Sequence, residues 1–310
     1  MIEVYIQQVS SGRYLDAYEH RNDNDVVTQD KQDNDSQKWI LTSVKYDEDI
    51  GYIVRIQQKN TQHYLDAYTH VLRNYKVVTR DKQNNSSQDW IVKQTGHNIY
   101  TIQQFDNNRY MDAYETSGRD FTVVTRDAQD NTTQEWQLSR TQPLFLDSLY
   151  TIKHSYDNDR IKAYKNSQYD YQAVMEQDRR NFDADSEWII YTVGDGEVRI
   201  QQNSTERFLD AHESDALDAT YNVVTRPEQD NDSQIWIVDE KDILRNLSYE
   251  GPGVYCAFKQ KSSGYTLDII QLEDNSEKVV TIQPPENRGE YIDLTKRREY
   301  IKDWLVEWIG

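Results

Sequence analysis

A unit of about 50 residues recurs six times along this chain, and a repeat of that period confines it to folds in which each copy is one supersecondary unit. The first copy reads YIQQVSSGRYLDAYEH from Tyr5 and VVTQDKQDNDSQKWIL from Val26. The second has RIQQKNTQHYLDAY from Arg55 and VVTRDKQNNSSQDWIV from Val77, and the third TIQQFDNNRYMDAY from Thr101 and VVTRDAQDNTTQEWQL from Val123. Copy five, RIQQNSTERFLDAH from Arg199 and VVTRPEQDNDSQIWIV from Val223, is equally clear. Copy four is worn, with TIKHSYDNDRIKAY from Thr151 and AVMEQDRRNFDADSEWII from Ala173. Copy six opens with AFKQKSSGYTLDII at Ala257 and KVVTIQ at Lys278, after which its register is ambiguous. Both TIQPPENRGEYIDL from Thr281 and KDWLV from Lys302 imitate parts of a copy.

Within each copy short apolar clusters alternate with polar residues and are divided by Gly, Asn, Asp and Ser turns, the signature of strands and hairpins. The pattern predicts four strands per copy, typified by Val4 to Gln8, Arg13 to Tyr18, Asp25 to Gln29 and Lys38 to Thr42. No stretch before the C-terminal tail has helical periodicity of useful length, so the chain reads as all-β. Four strands at this period also describe a propeller blade, which makes a six-bladed propeller the rival architecture.

The end of each copy separates the two. Gln-x-Trp stands at Gln37/Trp39, Gln88/Trp90, Gln134/Trp136 and Gln234/Trp236, while copy four keeps Trp188 alone. A Trp-Asp pair closing the third strand, the propeller hallmark, is absent. The recurring Gln-x-Trp resembles the ricin B-type lectin family of β-trefoils, over copies one to five and weakly in copy six. The resemblance implies two tandem β-trefoils of three four-stranded repeats each. The first would span 1–142, and the second, degenerate and with a C-terminal extension, 143–310, the boundary falling near Gln142-Pro143 where proline interrupts strand pairing. The stretch from Thr295 to Trp308 reads as a short helix, a closing strand or a docking segment.

The resemblance also implies a site. The Leu-Asp-Ala aspartates Asp16, Asp66, Asp112 and Asp210 match the position of the family's sugar-binding carboxylate, followed on the same strand face by Tyr18, Tyr68, Tyr114 and His212. Asn34, Asn85, Asn131 and Asn231, in the turn before Gln-x-Trp, would complete the contact. The third strand, VVTR, lacks the family's stacking aromatic, and copy four has Lys162 in place of the aspartate. A second reading comes from comparing copies. Asp66, Asp112 and Asp210 accompany Arg80, Arg126 and Arg226, whereas copy four has Lys162 with Glu176, both signs reversed, so the aspartate also reads as half of a cross-strand ion pair.

Composition excludes several functions. At 310 residues two domains are expected, and 36% apolar residues with 23 Tyr and 7 Trp suit packed cores. A formal charge of −19 opposes binding to nucleic acid or to anionic membranes, and no run is long and apolar enough for membrane insertion. The lone Cys256 cannot form an intrachain disulfide, and the repeat begins at Met1 with no leader, so a cytoplasmic protein is expected, released if at all by a non-classical route. The six histidines show no metal-ligand spacing, and Asp/Asn-rich turns such as Asp33-Asn34-Asp35 are turn formers rather than an EF-hand. No cofactor, metal or catalytic motif is read. The expected function is a soluble, multivalent carbohydrate-binding lectin without catalytic activity, with glycans or glycoproteins as partners. The alternative is a protein-interaction or receptor-binding module of a toxin or defence system.

Overall fold

A computed structural model describes residues 1–18, 24–119, 121–155, 157–177, 184–240 except 213–219, 242–248, 251, 253–271, 277–283 and 303–309. Each of the six repeats contributes four strands. In repeat 1 these are Ile2–Gln8, Tyr14–Ala17, Asn24–Gln29 and Lys38–Asp47, and in repeat 2 Gly51–Gln58, Tyr64–Ala67, Val77–Arg80 and Trp90–Gly96. Repeat 3 has Ile99–Gln104, Tyr110–Ala113, Val123–Arg126 and Glu135–Arg140. The same order recurs through repeats 4 and 5 and ends in repeat 6 with Gly253–Gln260, Thr266–Gln271, Glu277–Ile282 and Trp304–Trp308.

First and fourth strands pair in a closed ring. Ile2–Gln8 pairs with Lys38–Asp47, pairing continues through repeats 2 and 3, and Glu135–Arg140 returns to Ile2–Gln8, so no barrel strand is left as an edge. Repeats 4 to 6 close the same way, Trp304–Trp308 pairing with both Ser148–His154 and Gly253–Gln260. Second and third strands form hairpins joined to one another across repeats. A six-stranded barrel with three hairpins is a β-trefoil, and there are two. The final tryptophan strand thus belongs to repeat 6, and the C-terminal segment closes its barrel as a strand over Trp304–Trp308. Residues 295–302 of that segment, and most of the competing TIQPPENRGEYIDL stretch, lie outside the described residues.

Tryptophan geometry explains the repeat. Trp39, Trp90, Trp136, Trp188, Trp236 and Trp304 are all buried, and each indole N–H donates to the carbonyl of the apolar second-strand residue of its own copy, Leu15, Leu65, Met111, Ile161, Leu209 and Leu267, at 3.0–3.2 Å. The glutamine of Gln-x-Trp closes the preceding loop: Gln88 accepts from the Gln83 amide at 2.9 Å and donates to the Asp81 carbonyl at 2.9 Å. A second set of glutamines joins the copies. Gln58 donates to Ala17 and Ser36 carbonyls of repeat 1, Gln104 to Ala67 and Ser87 of repeat 2, and Gln8 to Ala113 and Thr133 of repeat 3, completing a cycle. Gln202 and Gln260 do likewise in the second trefoil. These side chains bind one carbonyl at the end of a second strand and one in the 3-10 turn before the tryptophan, tying both to the next copy.

The loops between second and third strands add another interlock. Tyr75, Phe121 and Tyr171 adopt left-handed backbone conformations, with φ of 50°, 49° and 53°. Each offers its carbonyl to a threonine amide of a neighbouring repeat, Thr125, Thr28 and Thr225, and its ring to that repeat's arginine, Arg109, Arg13 and Arg207, at 3.7–4.0 Å.

The two compact units are Met1–Gln142 with Asp242–Glu250, and Pro143–Lys241 with Gly251–Gly310. A contiguous second domain over 143–310 therefore does not describe the molecule. The chain lends a single short helix, Ile243–Ser248, to the first unit, and the architecture is otherwise built from strands, as the all-β reading expects. Ile243, Leu244 and Leu247 are buried in the first core. The Tyr100 hydroxyl accepts from the Ile243 amide at 3.3 Å and donates to Asp242 at 3.2 Å, while Asp242 also accepts from the Leu244 amide at 2.9 Å. In the second unit Tyr150, at the same repeat position, accepts from the Leu146 amide at 3.1 Å and donates to its carbonyl at 3.0 Å. Beside it Phe145 is buried against Phe258. Valine or cysteine fills this position elsewhere: Val4, Val54, Val198 and Cys256. One tyrosine per trefoil thus anchors an apolar plug.

Candidate functional site

The carboxylate that sequence comparison singles out sits beneath the surface. Asp66 and Asp112 side chains are 0% exposed, and Asp16 and Asp210 are also buried. In repeat 2 Arg80 donates to Asp66 at 3.3 Å, and in repeat 3 Arg126 donates to Asp112 at 3.2 Å. In repeat 4 Lys162 donates to Glu176 at 2.8 Å. The ion pair therefore exists in both polarities. Its partners are not directly opposite, because register pairs Asp66 with Val78 and Tyr64 with Arg80. Asp66 and Arg80 are diagonal neighbours on one face. For repeats 1 and 5 the buried Asp16 and Asp210 have further contacts of their own, but Gln29 stands where Arg80 stands in repeat 2.

The turn asparagines are positioned by their own loops. Asn85, Asn131 and Asn231 precede short 3-10 turns and accept from the amides of Ser87, Thr133 and Ser233 at 3.2–3.3 Å. Asn34 accepts from the Ser36 hydroxyl at 2.8 Å. Each also donates to a glutamine, Gln32, Gln83, Gln129 or Gln229. In repeat 2 the Ser87 hydroxyl lies 3.2 Å from Asp66 and 2.8 Å from Asn85, so the aspartate and asparagine of that copy share one polar patch.

The aromatic members differ. Tyr18 is exposed, and the side chain of His212 lies outside the described residues. Tyr68 and Tyr114 are half-buried and each meets two guanidiniums. Arg80 and Arg73 lie 4.3 and 5.3 Å from the Tyr68 ring centre, and Arg126 and Arg119 lie 4.4 and 5.2 Å from that of Tyr114. Hydrogen bonding by Asn74, and then by Arg126, holds the Tyr114 phenol below its ordinary pKa. Arg73 and Arg119 escape a motif-based reading because they lie in the loop. The available signal is an arginine five residues after the tyrosine in both copies.

Among the described residues Asp157, Asp159 and Glu277 bring carboxylate oxygens within 4.8 Å of one another, and His154 Nδ1 lies 3.0 Å from Asp157. The Asp35 turn carboxylate is taken by Lys38 at 2.9 Å and Lys59 at 3.5 Å, which holds its pKa below the ordinary value. No described helix is long and apolar enough to cross a membrane.

Comparison with known proteins places this geometry. The family model for a ricin-type beta-trefoil lectin domain-like unit matches residues 3–79 and, overlapping them, 46–127. No curated protein matches the chain. Among solved structures it is similar to the designed three-fold symmetric protein ThreeFoil, at 15% identity over 44% of this chain and 96% of that one, with a TM-score of 0.39. It is also similar to a Polyporus squamosus lectin bound to a human-type influenza-binding epitope, at 17% identity over 45% of this chain and 49% of that one, TM-score 0.38. The hemolytic lectin CEL-III aligns at 15% identity over 100% of this chain and 64% of its own, TM-score 0.36. Residues 3–127 thus match the ricin-type β-trefoil lectin-like family, and the same tryptophan geometry recurs in all six copies of the two tandem trefoils.

Proposed function

We propose that the chain is a lectin that binds glycans weakly at several repeats and gains avidity by engaging them together. The family match over residues 3–127 carries this reading. The recurrence of one residue set supports its multivalency: Asp16, Tyr18 and Asn34 in repeat 1, then Asp66, Tyr68 and Asn85, then Asp112, Tyr114 and Asn131, and in repeat 5 Asp210, His212 and Asn231. Where the carboxylate is buried, as in repeats 2 and 3, a ligand meets the asparagine, the tyrosine edge and the arginine first, and the aspartate acts by fixing that arginine. We assign no catalytic step to the chain.

The test is a glycan array with folded wild type beside Asn85→Ala and Asn131→Ala. Both side chains serve only exposed loop bonds, so stability should hold while array signal falls. An array that stays blank at high protein concentration overturns the reading. Release of reducing ends from a polysaccharide overturns its non-catalytic part.

A further inference from the structure

Two of the repeated sites carry more cation than the fold needs. Arg80 and Arg126 are neutralised by buried Asp66 and Asp112. Arg73 and Arg119 are exposed at the ends of short 3-10 turns and, among the described residues, have no carboxylate partner. Each site therefore holds two guanidiniums near one aromatic ring, the inner one paired with a buried carboxylate.

Repeat 4 is an internal comparison at identical spacing. Tyr164, Tyr169 and Glu176 stand where Tyr68, Arg73 and Arg80 stand in repeat 2, and Lys162 replaces the aspartate. The Tyr169 ring covers Tyr164 at 4.6 Å, and the hairpin keeps its register, with Lys162 opposite Val174. Covering the ring and pairing the strands therefore need no arginine. In that copy the reversed Lys162–Glu176 pair replaces the inner arginine and its aspartate, and a tyrosine replaces the loop arginine.

We propose that repeats 2 and 3 select glycans bearing a carboxylate or sulfate, held by Arg73 with Arg80 and by Arg119 with Arg126. The proposal rests on the lectin reading and names its ligand class. A guanidinium presents planar paired N–H donors that match such anions, and Asp66 and Asp112 orient the inner arginine for that fork. A neutral sugar face, by contrast, finds the tyrosine ring already occupied. The overall charge of −19 does not decide the matter, because at physiological salt charges farther than about 8 Å are largely screened and the adjacent pair dominates.

Calorimetric titration of the full chain with sialyllactose, sulfated lactose and lactose tests this, alongside Arg73→Tyr, Arg119→Tyr and the double variant, which copy the repeat 4 cover. Wild type should favour at least one acidic sugar over lactose by about tenfold. The double variant should lose that preference with its thermal unfolding unchanged, and each single variant about half of the acidic-sugar stoichiometry. Preference for sialyllactose assigns the carboxylate and preference for sulfated lactose the sulfate, and either supports the proposal. Equal or tighter binding of lactose in wild type, or an undiminished preference in the double variant, overturns it while leaving the lectin reading intact. Binding of none of the three sugars, with a blank array, overturns the lectin reading itself.

Discussion

Lys162 Nζ and Glu176 Oε1 are 2.8 Å apart, at the two positions where repeat 2 places Asp66 and Arg80 with the signs exchanged. The hairpin thus accepts the pair in either polarity. Arg80→Met should destabilise the first unit by about 3 kcal/mol, because it removes the cation from a buried carboxylate that then keeps only the Ala67 amide and Ser87 hydroxyl. The exchange Asp66→Lys with Arg80→Glu should retain more stability than either single change. Denaturant unfolding of the four proteins measures the coupling.

Adjacent glutamines have different weights. Gln58 is buried and serves two carbonyls of repeat 1, whereas Gln57 donates only to the Gln62 carbonyl in an exposed turn. Gln58→Leu should cost about 2 kcal/mol or more by leaving those carbonyls unpaired, while Gln57→Leu should stay within about 0.5 kcal/mol. Unfolding midpoints at fixed slope separate the two.

The plug makes a prediction that crosses the sequence. Leu244 lies beyond residue 143, yet Leu244→Ala should lower the stability of the first unit by about 2–5 kcal/mol through the cavity it leaves. Hydrogen exchange should lose protection in Ile2–Gln8 and Lys38–Asp47, not in Ser148–His154. Loss confined to the second unit would contradict the assignment.

Cys256 supplies a pH dependence. Burial first, then Glu240, Asp303 and Asp239, pushes its thiol well above the ordinary value, so the folded state keeps it neutral. Above pH of about 9 the unfolded thiol releases its proton and the folded one does not, so stability falls as pH rises, by about 1.4 kcal/mol per unit from this group. Cys256→Val, the residue the repeat uses at Val4, Val54 and Val198, should remove that component. Denaturant midpoints between pH 7 and 10.5 read the difference.

Much of this molecule is visible in its residues. The tryptophan register and the turn-divided strands announce the repeats because every copy must meet the same burial constraint. The reversed charges of Lys162 and Glu176 announce the ion pair because both signs must change together. What escapes is what one copy does for another. The dipeptide Gln57-Gln58 recurs along the chain, but nothing local says that the second glutamine reaches carbonyls of the preceding copy. The helix Ile243–Ser248 is too short for periodicity to speak, and its partner Tyr100 is distant in sequence. Trp304 stands far from the third strand of its copy, so its spacing differs from that of the other five.

The borrowed helix also sets a timetable for biosynthesis. The last barrel strand of the first trefoil ends at Arg140, but the segment that fills its core starts at Asp242. At about 5–20 residues per second, translation leaves that barrel open for about 5–20 s after its own strands are made. During this interval Tyr100 and the core around it have no occupant from their own chain, so nascent chains on neighbouring ribosomes meet at their most adhesive stage. Splitting the gene at the boundary between copies three and four would make that interval permanent.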